Sequence, residues 1–231
     1  MRPEEIAAYL KSHPEFFEQY ADFLSQLHIP SPHGGKAISI TERQMTILRE
    51  KVKLLEGKLA ELIGFGEEND TIAEKVQRLA MALMSAEDLQ SVMRFLYAHL
   101  GGSFAVPHVA VRLWGMGPGS LPPGPLLGEE GDAAEFLPVA DEIKAYAGGS
   151  RHPFCGAAAG QAPLEWFGER RGHIHSLAQI PLREGGLQGG ACFGLLVLAS
   201  EDPHRFYPDM GTLYLERIGD LAAAALLRVV R

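Results

Sequence analysis

The stretch FGLLVLASEDPHRFYPDMGTLYLERIGDLAAAALLR, Phe193 to Arg228, contains the pattern that decides the fold. Its apolar run ends at Ser200, as a buried strand does, and a helical pattern begins near Asp209. Pro203 stops the strand, and Pro208 suits a helix entrance because its φ is already fixed. We therefore expect a corner between a strand and a helix rather than an active site. The polar residues of this corner are Asp202, His204, Arg205 and Asp209, and the pattern assigns no role to His204.

Other segments of the second half of the chain also have strand patterns. FAVPHVAVRLWG alternates between apolar and polar residues, and HSLAQIPL and GGACFGLLVLAS are apolar runs joined by the turn REGGLQGG. EFLPV predicts a short strand, ADEIKAYAGG a short helix, and the proline-rich MGPGSLPPGPLLGEEGD a loop. This order predicts an α+β fold, with an antiparallel sheet flanked by helices.

The whole chain divides by pattern into three regions, at residues 1–38, 39–84 and 85–231. The first predicts short helices, with apolar spacing around Ile6 and a second helix that starts at Pro14. The middle region predicts one long helix, capped by Ser39 or Thr41. The third begins with an amphipathic helix capped by Ser85, which leads into the sheet.

The long helix contains a heptad pattern that is typical of a coiled coil. Its core positions are Met45, Leu48, Val52, Leu55, Leu59 and Leu62, with a continuation through Ala73, Val76, Ala80 and Leu83. Lys51 and Glu56 would meet across a parallel pair of helices, and a buried Asn69 would fix their register. The terminal helix, with LAAAALLRVV, is apolar nearly all round. We expect both helices to be covered in a homodimer; the alternative is that the long helix packs within its own chain.

Composition excludes several classes of function. The chain of 231 residues is 46% hydrophobic and 22% charged, with a formal net charge of −8, so direct nucleic-acid binding is not expected. The sequence contains no run of 18 apolar residues, so we expect no membrane span. The acidic N-terminal segment does not resemble a secretory signal. We expect a cytoplasmic protein, with Cys155 and Cys192 unsuited to a disulfide framework.

Histidine and cysteine residues of the third region suggest two kinds of chemical site. His173 and His175, with His152 nearby, would suit zinc, but no acid or thiol stands at a ligand spacing, so no metal site is expected. Cys155 follows Arg151 and His152, and such cations lower a thiol pKa, which leaves a thiol enzyme or redox sensor as an alternative. The glycine-rich segments lack a phosphate-binding pattern, and no cofactor or catalytic residue is predicted.

Five segments in this order resemble a known bacterial family: YLKSHPEFF, ISITERQMTILREK, PFCG, SLAQIPL and GLLVLASEDPHRFYPDMGTLYLERI. Together they are similar to the family catalogued as domain of unknown function 484. The resemblance covers nearly the full length and implies a GAF-like C-terminal domain behind a helical N-terminal part. It implies no established activity.

In a GAF-like domain a ligand pocket would lie under a cover formed here by residues 115–170. The expected ligand-binding residues are Phe154, Cys155, Leu164, Trp166, Phe167 and His175. The alternative is that the aromatic residues simply close the core. Our leading hypothesis is a non-enzymatic sensory or regulatory module that binds a small ligand or a protein partner and signals through a helical homodimer. A structural adaptor with an empty GAF-like domain, and the thiol enzyme or redox sensor at Cys155, are the alternatives.

Overall fold

A computed structural model describes residues 2–26, 28–29, 38–115, 134–186 and 189–230, and the side chains of these ranges outside 24–42. The chain forms two compact units, Met1–Glu67 and Glu68–Arg231. The division falls inside the long helix, whereas the sequence pattern placed boundaries before and after that helix. The predicted proline-rich loop, at residues 116–132, and the segment PSPHGGK, at residues 30–36, lie outside the described residues.

The first unit begins with short helices, as the sequence predicts. Helix α1 spans Pro3–Ser12, α2 Glu15–Gln19 and α3 Ala21–Gln26, and the short strands β1 (His28–Ile29) and β2 (Ile38–Ser39) pair in antiparallel fashion. The single helix expected after Pro14 is interrupted at Tyr20. That residue has a non-helical φ of −113° and its N–H closes α2 on the carbonyl of Phe16.

The long helix, α4, spans Ile40–Ser85 and contributes to both units. The predicted capping side chains, Ser39 and Thr41, lie outside those described. In the second unit, Val76, Leu79 and Leu83 are buried within their own chain, so the heptad continuation is covered there without a partner. Asn69 is exposed rather than buried, and its carbonyl accepts a hydrogen bond from the Tyr214 hydroxyl at 3.0 Å.

Helix α5 spans Leu89–Ala98 and continues as a π-helical turn, His99–Ser103. The prediction that Ser85 caps α5 is wrong, because Ser85 is the last residue of α4 and its hydroxyl donates to the Ala82 carbonyl at 2.8 Å. Asp88 is the cap instead: its carboxylate accepts the Ser91 N–H at 2.7 Å. The capping hydrogen bond lowers the pKa of Asp88.

Among its described residues, the second unit contains one four-stranded antiparallel sheet, which confirms the predicted fold class. The strands are β3 (His108–Leu113), β4 (Phe154–Ala157), β5 (Ser176–Arg183) and β6 (Cys192–Ser200), in the order β3-β6-β5-β4. In the register, Leu196 of β6 lies between Val111 of β3 and Ile180 of β5. Strand β4 was not predicted. The predicted strand EFLPV is wrong, since its first residues lie in a 3-10 turn, Ala134–Phe136.

The remaining helices lie on the two faces of the sheet. Helix α6 spans Asp141–Gly149, a 3-10 helix spans Ala162–His173, and α7 spans Leu213–Val230. Helix α7 begins four residues after the predicted Asp209, because Tyr207 and Met210 first form a hydrogen-bonded turn. None of the described helices combines the length and the apolar character that crossing a bilayer requires.

The main core lies between one face of the sheet and the helices α5, α7 and the end of α4. Helix α7 buries Leu215, Ile218, Ala222 and Leu226 there, so its own chain covers it. These residues therefore need no second copy to cover them, and the pairing of α7 with a second copy stays a prediction. Arg228 completes the packing by donating to the carbonyls of Leu83 and Ala86, at 2.9 and 2.6 Å.

The predicted corner after β6 is confirmed. The Asp202 carboxylate accepts the His204 N–H at 2.8 Å, and Arg205 donates to the Phe104 carbonyl at 2.6 Å. Phe206 is buried in the main core, while the His204 and Asp209 side chains are exposed. The polar residues of this stretch thus build a turn, and His204 acquires no catalytic partner among the described residues.

Candidate functional site

The candidate site lies on the sheet face that points away from α5 and α7, which we call the cover face. Its central apolar residues are Leu195 and Val197 of β6, and they pack with Val139, Ile143 and Ala147. Farther along the strands, Leu177 and Ala199 pack with Ala158 and Ile174. Helix α6 and the 3-10 helix Ala162–His173 provide the layer above this face.

Three long polar side chains from the strands of this face are buried: Arg112 is 7% exposed, Gln179 2% and Arg183 3%. Strand alternation explains their shared side, since Gln179 and Arg183 are an even number of residues from Leu177. Burial of such groups is costly unless their hydrogen bonds are made. Each therefore has to be explained by its partners.

Arg112 lies on the outer strand, β3, and interacts in two directions. Its Nη1 donates to the Val111 carbonyl at 3.0 Å, and its guanidinium carbon lies 5.1 Å from the ring centroid of Trp166. Burial lowers the pKa of Arg112. The stacking on Trp166 provides a cation–π contact that partly replaces water. Arg112 thus fixes Trp166 over the cover face.

A buried acid lies near the same strand. Glu135 is 2% exposed, and its Oε1 accepts a hydrogen bond from the Tyr97 hydroxyl at 3.0 Å. Burial first, and then the Glu135 carboxylate, raise the pKa of Tyr97. Oε2 of Glu135 has no hydrogen-bond partner among the described residues. A phenol kept protonated beside a carboxylate is a structural link between α5 and the turn Ala134–Phe136.

Arg183 holds α6 in place over the cover face. It donates to the carbonyls of Ala147 and Ser150, at 2.9 and 3.0 Å, and also to that of Gly148. These carbonyls lie at the C-terminal end of α6, where no intrahelical donor remains and a cation is favourable. The guanidinium therefore caps the helix and joins it to β5.

A cavity of about 180 Å³ lies between α6 and the start of the 3-10 helix, above β5. It is lined by Glu142, Ile143, Tyr146, Gln161, Ala162, Pro163 and Gln179. Inside it, the Nε2 of Gln179 donates to the Oε1 of Gln161 at 2.8 Å. Two primary amides, a phenol, a carboxylate and apolar surfaces thus converge on a space that is smaller than a typical drug-sized pocket of about 300 Å³ or more and could admit only a small molecule or part of one.

The structure brings four of the six predicted ligand-binding residues to the cover face. Phe154, Leu164 and Phe167 pack with Leu177 and Ala199, and Trp166 packs with Leu195 and Val197. They form apolar clusters beside the 180 Å³ cavity and are not among its lining residues.

The other two predicted residues lie elsewhere. Cys155 belongs to the main core on the opposite face, and burial raises the pKa of its thiol to about 11. His152 does not activate it, since its Nδ1 lies 3.2 Å from Oε1 of Glu216. His175 is exposed before β5, with its backbone N–H bonded to the Ser200 carbonyl at 2.9 Å.

The predicted histidines form no recognisable metal centre. His173 is exposed at the end of the 3-10 helix rather than in a strand. Within the described ranges, no group of three or more His, Cys, Asp or Glu side chains is placed to hold a metal ion.

The cavity residues Gln161 and Gln179 were missed by sequence reasoning. One signal was available, since Gln179 interrupts the apolar run SLAQIPL, as Arg112 interrupts HVAVRL. A polar residue inside a buried strand indicates a specific partner. The identity of that partner, 18 positions away in the chain, required the structure.

Comparison with known proteins gives one family and one curated relative. The family described as "Protein of unknown function, DUF484" matches residues 1–230. The relative is similar to this chain at 24% identity over 229 residues, which is 98% of this chain and 91% of the other. It bears the name "Uncharacterized protein YigA" and comes from Salmonella typhimurium.

Among solved structures, the chain is similar to the native GAF domain of the potassium sensor histidine kinase KdpD from Escherichia coli. The identity is 18%, the match covers 68% of this chain and 94% of that one, and the TM-score is 0.35. At this TM-score, the strand order and register of this chain, rather than the similarity, define its fold.

Proposed function

Since the chain belongs to the DUF484 family of proteins of unknown function, its role is inferred from its own geometry: we propose a non-enzymatic sensory or regulatory module that binds a small ligand and acts through a helical homodimer. The observation that carries the proposal is the 180 Å³ cavity on the cover face, where the buried side chain of Gln179 meets Gln161. Ligand pockets are mainly apolar, with a few placed polar groups that fix the orientation of the ligand.

The composition of the cavity favours binding over catalysis. Its described lining contains one carboxylate, Glu142, and neither a histidine nor a thiol. Nucleophilic catalysis commonly uses a thiol, or a hydroxyl activated by an adjacent base such as histidine, and the Tyr146 phenol is the other titratable group of this lining. The alternative of a thiol enzyme is weakened further, because Cys155 lies in the opposite core with a raised pKa.

The proposed homodimer rests on the apolar seam of α4 within the first unit. Leu55, Leu59 and Leu62 are 64%, 58% and 65% exposed, and Met45, Leu48 and Val52 are similarly uncovered. Such a contiguous apolar surface favours a partner. The 3.5-residue spacing and the opposite charges of Lys51 and Glu56 favour a second parallel copy of the same helix.

The long helix also provides a route for a signal. Val76, Leu79 and Leu83, near its C-terminal end, form part of the core of the sheet unit. The cavity lies on the opposite face of the sheet, so a ligand would act on that core through the strands, and repacking there would displace residues of the same continuous helix that carries the seam. We propose that a ligand alters helix pairing in this way.

Ligand binding is tested by native mass spectrometry of the purified chain and by thermal denaturation against a metabolite collection. A co-purified small molecule is expected, or a compound that raises stability by about 2.7 kcal/mol at a hundred times its Kd. Denatured protein in the same mass measurement is the control for covalent adducts. The absence of both effects across the collection would favour the structural adaptor instead.

A further inference from the structure

The amide pair in the cavity has unused hydrogen-bonding capacity. Gln179 is 2% exposed, and within the described part of the chain its side chain is paired only with that of Gln161. When Nε2 of Gln179 donates to Oε1 of Gln161, the Oε1 acceptor of Gln179 and the Nε2 donor of Gln161 stay unpaired there. Turning both amides over exchanges the roles and again leaves one acceptor and one donor.

An unused acceptor on Gln179 and an unused donor on the paired Gln161 match one chemical group. A carboxamide, or the N–H and C=O edge of a lactam, presents a donor and an acceptor side by side and can bond both glutamines at once. Burial increases the discrimination at Gln179, which is 2% exposed, because a buried amide left without its partner loses free energy. A ligand that lacks either the N–H donor or the C=O acceptor leaves one of the two glutamines without that hydrogen bond.

The other lining residues restrict the charge and the shape of the ligands that the cavity can bind. Among the described lining side chains, Glu142 is the charged one, and neither lysine nor arginine is present. Carboxylates and phosphates would therefore find no cationic side chain in this lining, and the exposed Glu142 carboxylate would weakly disfavour them. Ile143, Pro163 and the ring of Tyr146 provide apolar and aromatic surface for a flat or apolar body.

We propose that the cavity binds an uncharged or cationic small molecule that carries a carboxamide or lactam group, held by Gln161 and Gln179. This inference rests on the proposed function and specifies its ligand class. Recognition of such a group without a basic residue sets this site apart from the many sites for nucleotides and organic acids that bind anionic groups with Arg or Lys.

Benzamide and benzoate form a matched pair of probes, since they share a ring and differ in the amide. Ligand-observed saturation-transfer NMR on the full chain gives a Kd for each. We expect benzamide to bind and benzoate to bind at least tenfold more weakly. Gln161→Ala should weaken benzamide binding at least tenfold, while Gln90→Ala, an exposed glutamine on α5, should leave it unchanged.

Gln179→Met provides a second test, because it keeps the buried volume while removing the amide. Its thermal unfolding is measured first, and if this variant fails to fold, Gln161→Ala decides alone. Equal binding of the two probes, or full benzamide affinity in Gln161→Ala, would refute the amide site.

The outcomes separate this inference from the proposed function. If benzamide does not bind but the metabolite collection yields an organic acid or a phosphate, the ligand class is wrong and the sensory module stands. If benzamide, the collection and mass spectrometry all give nothing, both proposals fail.

Discussion

At the scale of single residues, adjacent side chains of one strand lie in different environments on the two faces of the sheet. Phe154 packs on the cover face, whereas its neighbour Cys155 enters the main core and is 7% exposed. Burial raises the pKa of that thiol from 9.0 to about 11. At neutral pH the group is protonated, and the thiolate is the reactive form. The position of one strand residue therefore decides between an inert and a reactive cysteine.

Cys155 should consequently label slowly with a disulfide reagent such as Ellman's reagent. In Cys192→Ser, which leaves Cys155 alone, we expect a rate at pH 7 at least about a hundredfold below that of free cysteine, because two pKa units reduce the thiolate by that factor. The rate should recover in guanidinium, where burial is lost. Labelling of the folded protein at the rate of free cysteine would revive the redox alternative.

The raised pKa also makes stability depend on pH. Between about pH 9 and 11 the unfolded chain releases the Cys155 proton that the folded chain keeps, so the unfolded state binds fewer protons and stability falls as pH rises. Tyr97, whose pKa is raised above its ordinary value, acts in the same direction. Thermal unfolding across this range should show the decline, and Cys155→Ala should make it shallower.

At the scale of elements, α6 depends on a residue that is not part of it. The helix buries two of its own side chains, Ile143 and Ala147, while Arg183 of β5 satisfies carbonyls at its C-terminal end. A nine-residue helix has little stability by itself. The stability of α6 beside the cavity therefore depends strongly on the hydrogen bonds from the Arg183 guanidinium.

Replacing Arg183 by Met should destabilise the protein by about 2 to 4 kcal/mol, because several buried carbonyls lose their donor. Chemical denaturation measures the change, and hydrogen exchange should show α6 opening before β5. Arg151→Met is the matched control, since Arg151 is exposed and its single described hydrogen bond, to Gly189, should contribute about 0.5 kcal/mol or less. Equal effects of the two substitutions would contradict the capping role.

At the scale of the whole molecule, the burial of the long helix by its own chain differs along its length. Its residues Val76, Leu79 and Leu83 are buried by the same chain, while the seam from Met45 to Leu62 is exposed. The heptad pattern alone does not distinguish these parts, because an apolar stripe can be covered by any surface of suitable shape.

The homodimer is tested on this seam. Leu55→Asp with Leu59→Asp should shift the chain from dimer to monomer in sedimentation velocity, because unpaired charge in an apolar seam is costly. Ala60→Asp with Gly64→Asp adds the same charge at outward heptad positions and should leave the dimer intact. A monomer at micromolar concentration for the unmodified chain would contradict the proposal.

The parts of the fold that could be predicted are those with strong local patterns. The apolar runs of β5 and β6, the alternation in β3 and the prolines of the corner each predict one conformation. Strand β4 was missed because FCGA is only four residues long and ends in small residues. EFLPV was misassigned because its burial is irregular, with Glu135 turned inward to Tyr97.

The candidate site was predictable only in its apolar part. Aromatic residues such as Phe154, Trp166 and Phe167 indicated that a layer covers the sheet. The pairing of Gln161 with Gln179 depends on how a loop and a strand approach each other in space. No local pattern contains that information.

The capping of α6 by Arg183 also has a consequence for rates. A short helix that lines a cavity and buries only two of its side chains opens more often than the whole domain unfolds. A molecule beneath it would enter and leave at the frequency of that opening rather than at the frequency of diffusional encounter. The residence time of the ligand would then depend on the strength of the hydrogen bonds from Arg183 to the three carbonyls at the end of α6. The module would respond to falling ligand levels on the timescale of that residence time.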